Sequence, residues 1–197
     1  MKVKICGITN LQDALQAINA GADALGFVFF PESPRYISPE KAKEIISQLP
    51  PFVEKVALFV NNPPEIINQI CHYVGATLAQ IHFEMDETLF SKLDIPYLKV
   101  VRAQSSEDIF RYQNEYRLID AYCESYGGSG KRLNLEWFSE IDCSKIILAG
   151  GLEASNIASI VDYGFYGVDV SSGVEASKGI KDPDKVTEFI FQAKNCD

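Results

Sequence analysis

Eight short, nearly continuous apolar runs recur along this 197-residue chain, each followed by a stretch long enough for a helix. The runs are Val3 to Cys6, Ala24 to Phe29, Val53 to Val60, Leu78 to Ile81, Tyr97 to Val101, Tyr116 to Ala121, Lys145 to Ala149 and Gly167 to Val170. Strands that read as unbroken aliphatic segments, without polar alternation, are buried on both faces, as in a parallel sheet covered by helices. The intervening segments carry helix punctuation. Asn10 is a candidate N-cap and Gly21 a stop for Leu11 to Ala20. Ser38-Pro39 opens a second helix, Pro63-Pro64 a third to about His72, and a last helix runs from about Pro183 to Lys194. The expected class is α/β, a single parallel eight-stranded (β/α)8 TIM barrel spanning 1–197 with no linker or domain boundary. It is compact against the ~250 residues usual for that fold. An open doubly wound sheet alternates in the same way.

Charge narrows the function. The formal net charge of −9 argues against nucleic-acid binding, which needs a basic face. A small anionic ligand stays open, because a site can be locally positive in an acidic protein. The five cysteines (6, 71, 123, 143 and 196) are odd in number and form no C-x-x-C, so reduced thiols in the cytoplasm are expected, with neither a disulfide framework nor a zinc knuckle. No stretch approaches the ~20 apolar residues of a membrane span.

Chemistry-bearing residues gather at the ends of the runs. In a parallel barrel every strand end opens onto one face, where active sites lie. Cys6 ends the first run before Gly7, and Asp120 ends the sixth after Leu118 and Ile119. A thiol and a carboxyl on one face form a candidate base and acid pair, although a buried small cysteine and a carboxylate in an N-cap or salt bridge are the ordinary alternatives. The segment Phe29 to Tyr36 carries Arg35 on a loop stiffened by Pro31 and Pro34, and a guanidinium there suits a carboxylate or a phosphate. Gly150 and Gly151 follow the seventh run, and Ser171 and Ser172 the eighth, where barrels often hold a phosphate on backbone amides. His82 ends the fourth run, but only His72 accompanies it in the whole chain, so no metal site is expected. Gly127-Gly128-Ser129-Gly130-Lys131 departs from a Walker A loop, with Arg132 where Ser or Thr is needed, and reads as a loop that could fold over the mouth.

Taken together, Lys-Ile-Cys-Gly-Ile-Thr from residue 4, Gly-Phe-Val-Phe-Phe-Pro-Glu-Ser-Pro-Arg-Tyr from 26, Gln-Ile-His from 80, Leu-Ala-Gly-Gly-Leu from 148 and Asp-Val-Ser-Ser-Gly-Val-Glu from 169 resemble the phosphoribosylanthranilate isomerase family of tryptophan biosynthesis, in order from residue 2 to about 182. The resemblance implies a (β/α)8 barrel catalysing an Amadori rearrangement of N-(5'-phosphoribosyl)anthranilate to 1-(2-carboxyphenylamino)-1-deoxyribulose 5-phosphate. It implies Cys6 as general base, Asp120 as general acid and Arg35 on the anthranilate carboxylate. His82 and Asp169 would line the pocket, and the loops at Gly150-Gly151 and Ser171-Ser172 would hold the phosphate. Phe83 stands where the family usually has glycine. The implied partner is a small phosphosugar, with no cofactor or metal, for a monomer or homodimer.

That pair needs opposite protonation states at one pH, whereas thiols titrate near 8.5 and aspartates near 3.9. The expectation is a thiol lowered by helix N-termini and a carboxyl raised by burial. Rival readings are a sister phosphate barrel, such as indole-glycerol-phosphate synthase or a histidine-pathway aminoaldose isomerase, and a non-catalytic phosphosugar-binding barrel. Cys6 occupies a strand end where the synthase would place a catalytic lysine and the histidine isomerase an aspartate. The presence of both Cys6 and Asp120 speaks against the binding barrel.

Overall fold

A computed structural model describes residues 1–121 and 132–195. The glycine-rich segment 127–131, Cys123 and Cys196 lie outside the described residues. Eight parallel strands close into a barrel in chain order: β1 (Lys2–Cys6), β2 (Ala24–Val28), β3 (Glu54–Phe59), β4 (Leu78–Ile81), β5 (Tyr97–Ala103), β6 (Arg117–Ala121), β7 (Ile146–Ala149) and β8 (Gly167–Val170). β8 returns to β1 with Val3 beside Val168 and Lys4 beside Asp169. Closure decides against the open doubly wound sheet.

The caps work as the punctuation implies. Asn10 Oδ1 accepts from the Asp13 amide at 2.8 Å, and Gly21 ends α1 (Leu11–Ala20) at φ +105°, a left-handed conformation that favours glycine. Ser38 accepts from the Lys41 amide, and Pro39 begins α2 (Pro39–Ile46). α3 (Pro64–Val74) buries Ile67, Cys71 and Val74, and α6 (Pro183–Asn195) buries Val186, Phe189, Ile190 and Ala193, each a stripe at helical spacing.

The helical layer thins after β4. Among the described residues, α4 (Glu87–Phe90), 3-10 turns at Asp108–Phe110, Leu135–Phe138 and Val161–Tyr163, and α5 (Ala154–Ile157) stand where full helices had room to form. α4 buries Phe90 and the 108–110 turn Ile109, while Met85, Leu93 and Ile95 pack against the core from chain on either side of α4.

Strand parity separates two cores. Val3, Ile5, Leu25, Phe27, Ala57 and Phe59 point outward into the main cluster beneath the helices. The alternate residues point inward and form two smaller clusters. Cys6, Val28, Leu58 and Val60 make one, and Leu98, Val100, Leu118 and Ala149 the other. A cavity of about 800 Å³, edged by Phe52, Tyr97, Tyr116 and Tyr166, opens where the strands begin, at the end opposite Cys6 and Asp120. No helix among the described residues is long and apolar enough to cross a membrane.

Candidate active site

The inward parity that carries Cys6 also carries Lys4, and both are 6% exposed. A buried ammonium must be paired, and Lys4 Nζ lies 2.9 Å from Asp169 Oδ1 on the adjoining β8. Gly26, the register partner of Cys6 on β2, leaves room for the thiol. A β-carbon on Gly26 would lie 2.7 Å from Cys6 Sγ and 3.1 Å from Lys4 Cε. Cys6 therefore fills a slot that glycine opens in the barrel wall.

Across the lumen, Asp120 ends the inward set of β6, its side chain 17% exposed. Burial, with the nearby Asp169 charge, pushes its carboxyl up to about 6. His82 Nε2 faces Asp120 Oδ2 at 3.6 Å, a contact longer than a hydrogen bond. Burial, reinforced by Arg102 and Lys4, pushes His82 down to about 3, so its ring is neutral at physiological pH. Gln80 Nε2 lies 3.4 Å from His82 Nδ1. With Gln80 donating there, the ring proton sits on Nε2, facing Asp120.

Burial also governs Cys6, in the direction opposite to expectation. Desolvation raises the thiol above its ordinary value, and the opposing charges of Lys4 and Lys181 only partly offset this. The reason is the wall around the sulfur, made of Val28, Leu58 and Val60. The carboxyl is raised as expected, but the thiol is not lowered.

Arg35 is buried beside this thiol wall. Gly7, at φ +79°, places the chain so that a β-carbon there would meet Arg35 Cδ at 2.8 Å and Ser171 Oγ at 3.1 Å. The guanidinium is held by Glu175, with Nε and Nη2 each 2.8 Å from one carboxylate oxygen. The same carboxylate accepts from Lys181 Nζ at 3.1 Å, and Lys181 also reaches the Ser171 carbonyl at 3.2 Å. Glu175 and Lys181 belong to a two-stranded ribbon, β9 (Glu175–Ser177) with β10 (Ile180–Lys181), which follows β8. Their like-signed neighbours make Glu175 indispensable to the cluster: two buried cations share one carboxylate.

The loops after β7 and β8 are packed together. Gly150 and Gly151 take φ +93° and +62°. A β-carbon on Gly173 would lie 1.9 Å from the Leu152 carbonyl oxygen, so only glycine lets the two loops close. Ser171, Ser172, Gly150 and Gly151 are each half-buried.

The strand-end rule pointed to Cys6, His82 and Asp120, and the family resemblance to Asp169. It missed Lys4, Gln80 and Gly26, which lie deeper along the same inward parity and could have been found by counting back two residues from each strand end. It also missed the roles of Glu175 and Lys181, which sit on a ribbon too short to carry a periodic signal.

Residues 3–192 match the family described as N-(5'phosphoribosyl)anthranilate (PRA) isomerase. An N-(5'-phosphoribosyl)anthranilate isomerase of a Sulfurovum species is 62% identical over 195 residues, covering 99% of this chain and 100% of the relative. The crystal structure of phosphoribosyl anthranilate isomerase from Thermotoga maritima superposes with a TM-score of 0.91 at 43% identity, covering 98% of each chain. A phosphoribosyl anthranilate isomerase solved in complex with reduced 1-(o-carboxyphenylamino)-1-deoxyribulose 5-phosphate gives a TM-score of 0.84 at 42% identity, again over 98% of each chain.

Proposed function

Because the chain belongs to the N-(5'-phosphoribosyl)anthranilate isomerase family, we propose that it rearranges the aminoaldose by acid and base groups drawn from opposite sides of one lumen, Asp120 and Cys6. The enzyme class is that of an intramolecular aldose–ketose isomerase serving tryptophan biosynthesis. The observation that carries the mechanism is the buried carboxyl of Asp120, raised to about 6, sharing a barrel mouth with the buried thiol of Cys6.

Asp120, protonated, donates to the furanose ring oxygen. The C1–O bond breaks as the anthranilate nitrogen forms a protonated Schiff base. That iminium makes the C2 proton acidic, and the Cys6 thiolate removes it to give an enolamine, which tautomerises to the ketone. Both steps are proton transfers, so the reaction as written draws on no cofactor. Acid and base groups of this kind contribute ~10²- to 10⁴-fold each. Arg35 presents its Nη1 side to the anthranilate carboxylate, since Glu175 occupies the Nε–Nη2 edge. His82 and Asp169 line the sugar, and Gly150, Gly151, Ser171 and Ser172 surround the phosphate. The acting form is one barrel domain, monomeric or homodimeric, in a reducing cytoplasm.

The order of the two shifts sets the pH profile. Below about 6 both groups hold protons and the base is absent. Above the raised thiol value both are ionised and the acid is absent. Between these limits the pair holds one proton. It resides mainly on sulfur, and the reactive arrangement, with the proton on Asp120 and the charge on Cys6, is the minor tautomer. The profile of kcat/KM is therefore expected to be a bell with its acid limb near 6 from Asp120 and its alkaline limb, above the usual thiol range, from Cys6. The purified protein assayed on freshly made phosphoribosylanthranilate, by the change in anthranilate-type fluorescence, tests both points. Absence of turnover removes the function, and an Asp120→Asn enzyme whose residual activity keeps the limb near 6 removes the assignment of the acid.

Gly26 offers a geometric check. In Gly26→Ala the new methyl would meet the Cys6 sulfur at 2.7 Å. A displacement of a reacting group by about 1 Å can cost ~10²-fold, so kcat should fall on that order with product-analogue affinity little changed. Turnover within about twofold of the parent would show that the sulfur position is not critical, since a loss of that size is far below the one expected.

A further inference from the structure

We infer that Lys4 is a positioning residue of this site, its buried ammonium fixing the Cys6 sulfur in place and favouring the negative charge a base must carry. The inference rests on the proposed role of Cys6. Three observations support it. Lys4 points into the lumen two residues before Cys6 on the same strand, 6% exposed. The position a Gly26 β-carbon would take is 2.7 Å from Cys6 Sγ and 3.1 Å from Lys4 Cε, so the thiol and the lysine stem share one slot. Asp169 Oδ1 anchors the ammonium from the other side at 2.9 Å.

Stability does not account for this pair. A buried ion pair is often replaceable by apolar residues of similar volume without loss of stability, and the lumen around it is lined by Val28, Leu58, Val100 and Leu118. A lysine in that lumen makes sense where a charge is needed. The other groups facing the sulfur do not supply it as directly. Arg35 and Lys181 approach from the β2 loop and from β10, sharing the one Glu175 carboxylate, and Lys181 acts on the thiol less than Lys4 does. Asp169 on β8 carries the wrong sign to favour a thiolate. Asp120 and neutral His82 face the lumen from β6 and β4. Lys4 also acts on Asp120, but less than burial, Asp169 and Arg102 do, so its removal should move the acid limb less than the alkaline one.

The test is Lys4→Met in the full chain, with Lys4→Gln, which removes the charge but keeps a hydrogen-bond donor for Asp169, as a second variant if the first does not fold. Two quantities are read. One is the rate of iodoacetamide alkylation at Cys6, resolved by peptide mass, as a function of pH. The other is the pH dependence of kcat and KM. An adjacent opposite charge moves a titration by about 1–3 units. The Cys6 alkylation midpoint and the alkaline limb should therefore move upward together, with kcat down roughly 10- to 10³-fold at neutral pH and KM within about threefold of the parent. A folded variant whose Cys6 midpoint is unmoved overturns the inference whatever its activity. A midpoint that moves upward while kcat stays unchanged overturns it differently, by showing that the sulfur is not the base and that the mechanism above must change.

Discussion

Cys6→Ala and Asp120→Asn should each lower kcat by about 10²- to 10⁴-fold while leaving the affinity for a reduced product analogue nearly intact. In the proposed arrangement the phosphate and the anthranilate carboxylate fall to the β7 and β8 loops and to Arg35, so the loss belongs in kcat. The double variant should be much less impaired than the product of the two factors, because a cycle that has lost either transfer gains little from the other. Asp120→Asn carries a second signature. A carboxyl held at about 6 in the folded chain, against 3.8 as its ordinary value, is destabilised in its ionised form. The sign follows directly: a raised carboxylate opposes folding above its folded-state value, by roughly 3 kcal/mol here, and the penalty fades as pH falls towards the unfolded value. The inactive Asp120→Asn protein should therefore melt higher than the parent near neutrality, with the advantage shrinking below about pH 6. A variant that loses activity and also melts lower at every pH would mean that Asp120 is a structural group.

The barrel was legible because its strands obey a one-dimensional rule. Segments such as Leu25–Gly26–Phe27–Val28 are apolar on both faces, and that is visible without knowing what covers them. Caps such as Asn10 and Gly21 were equally local. The helices after β4 were not. Length alone allows them, yet the segment around α4 seats Met85, Phe90 and Ile95 in the core with only one helical turn, a choice local spacing does not show.

The same division runs through the site. Cys6 and Asp120 were legible from their places at strand ends. The direction of the Cys6 shift was not, because it depends on Val28, Leu58 and Val60 meeting the sulfur from two other strands. Lys4, taken in sequence, is one of two lysines near the start of the chain, and only strand parity turns it inward. Arg35 was flagged as a rigidly framed guanidinium, but its partner lies 140 residues away, a distance across which no local pattern operates.

Glu175→Gln should be among the most damaging single changes outside the reacting pair. The carboxylate of Glu175 holds Arg35 through two 2.8 Å bonds, Lys181 through one of 3.1 Å, and the Gly179 amide at 3.3 Å, all buried. The amide keeps the shape and removes the charge, leaving two buried cations to repel each other. Removing one partner from a buried charge cluster costs about 3–5 kcal/mol, which for a chain of this size lowers Tm by roughly 6–20 °C. The wild-type carboxyl is held below its usual range: burial opposes this, but the bonds from Arg35 and Lys181 prevail. A depressed carboxylate stabilises the fold above its unfolded value and stops doing so as pH falls through the folded one. The gap in Tm between parent and variant should therefore be full near neutrality and narrow on acidification through the glutamate range. The functional loss should fall mainly on KM, since Glu175 ties the Arg35 loop to β9 and, through Lys181, to the Ser171 backbone. If Glu175→Gln melts with the parent across this whole pH range, the Arg35–Glu175–Lys181 cluster does not hold the mouth of the barrel together, and Arg35 must owe its position to the proline-stiffened loop alone.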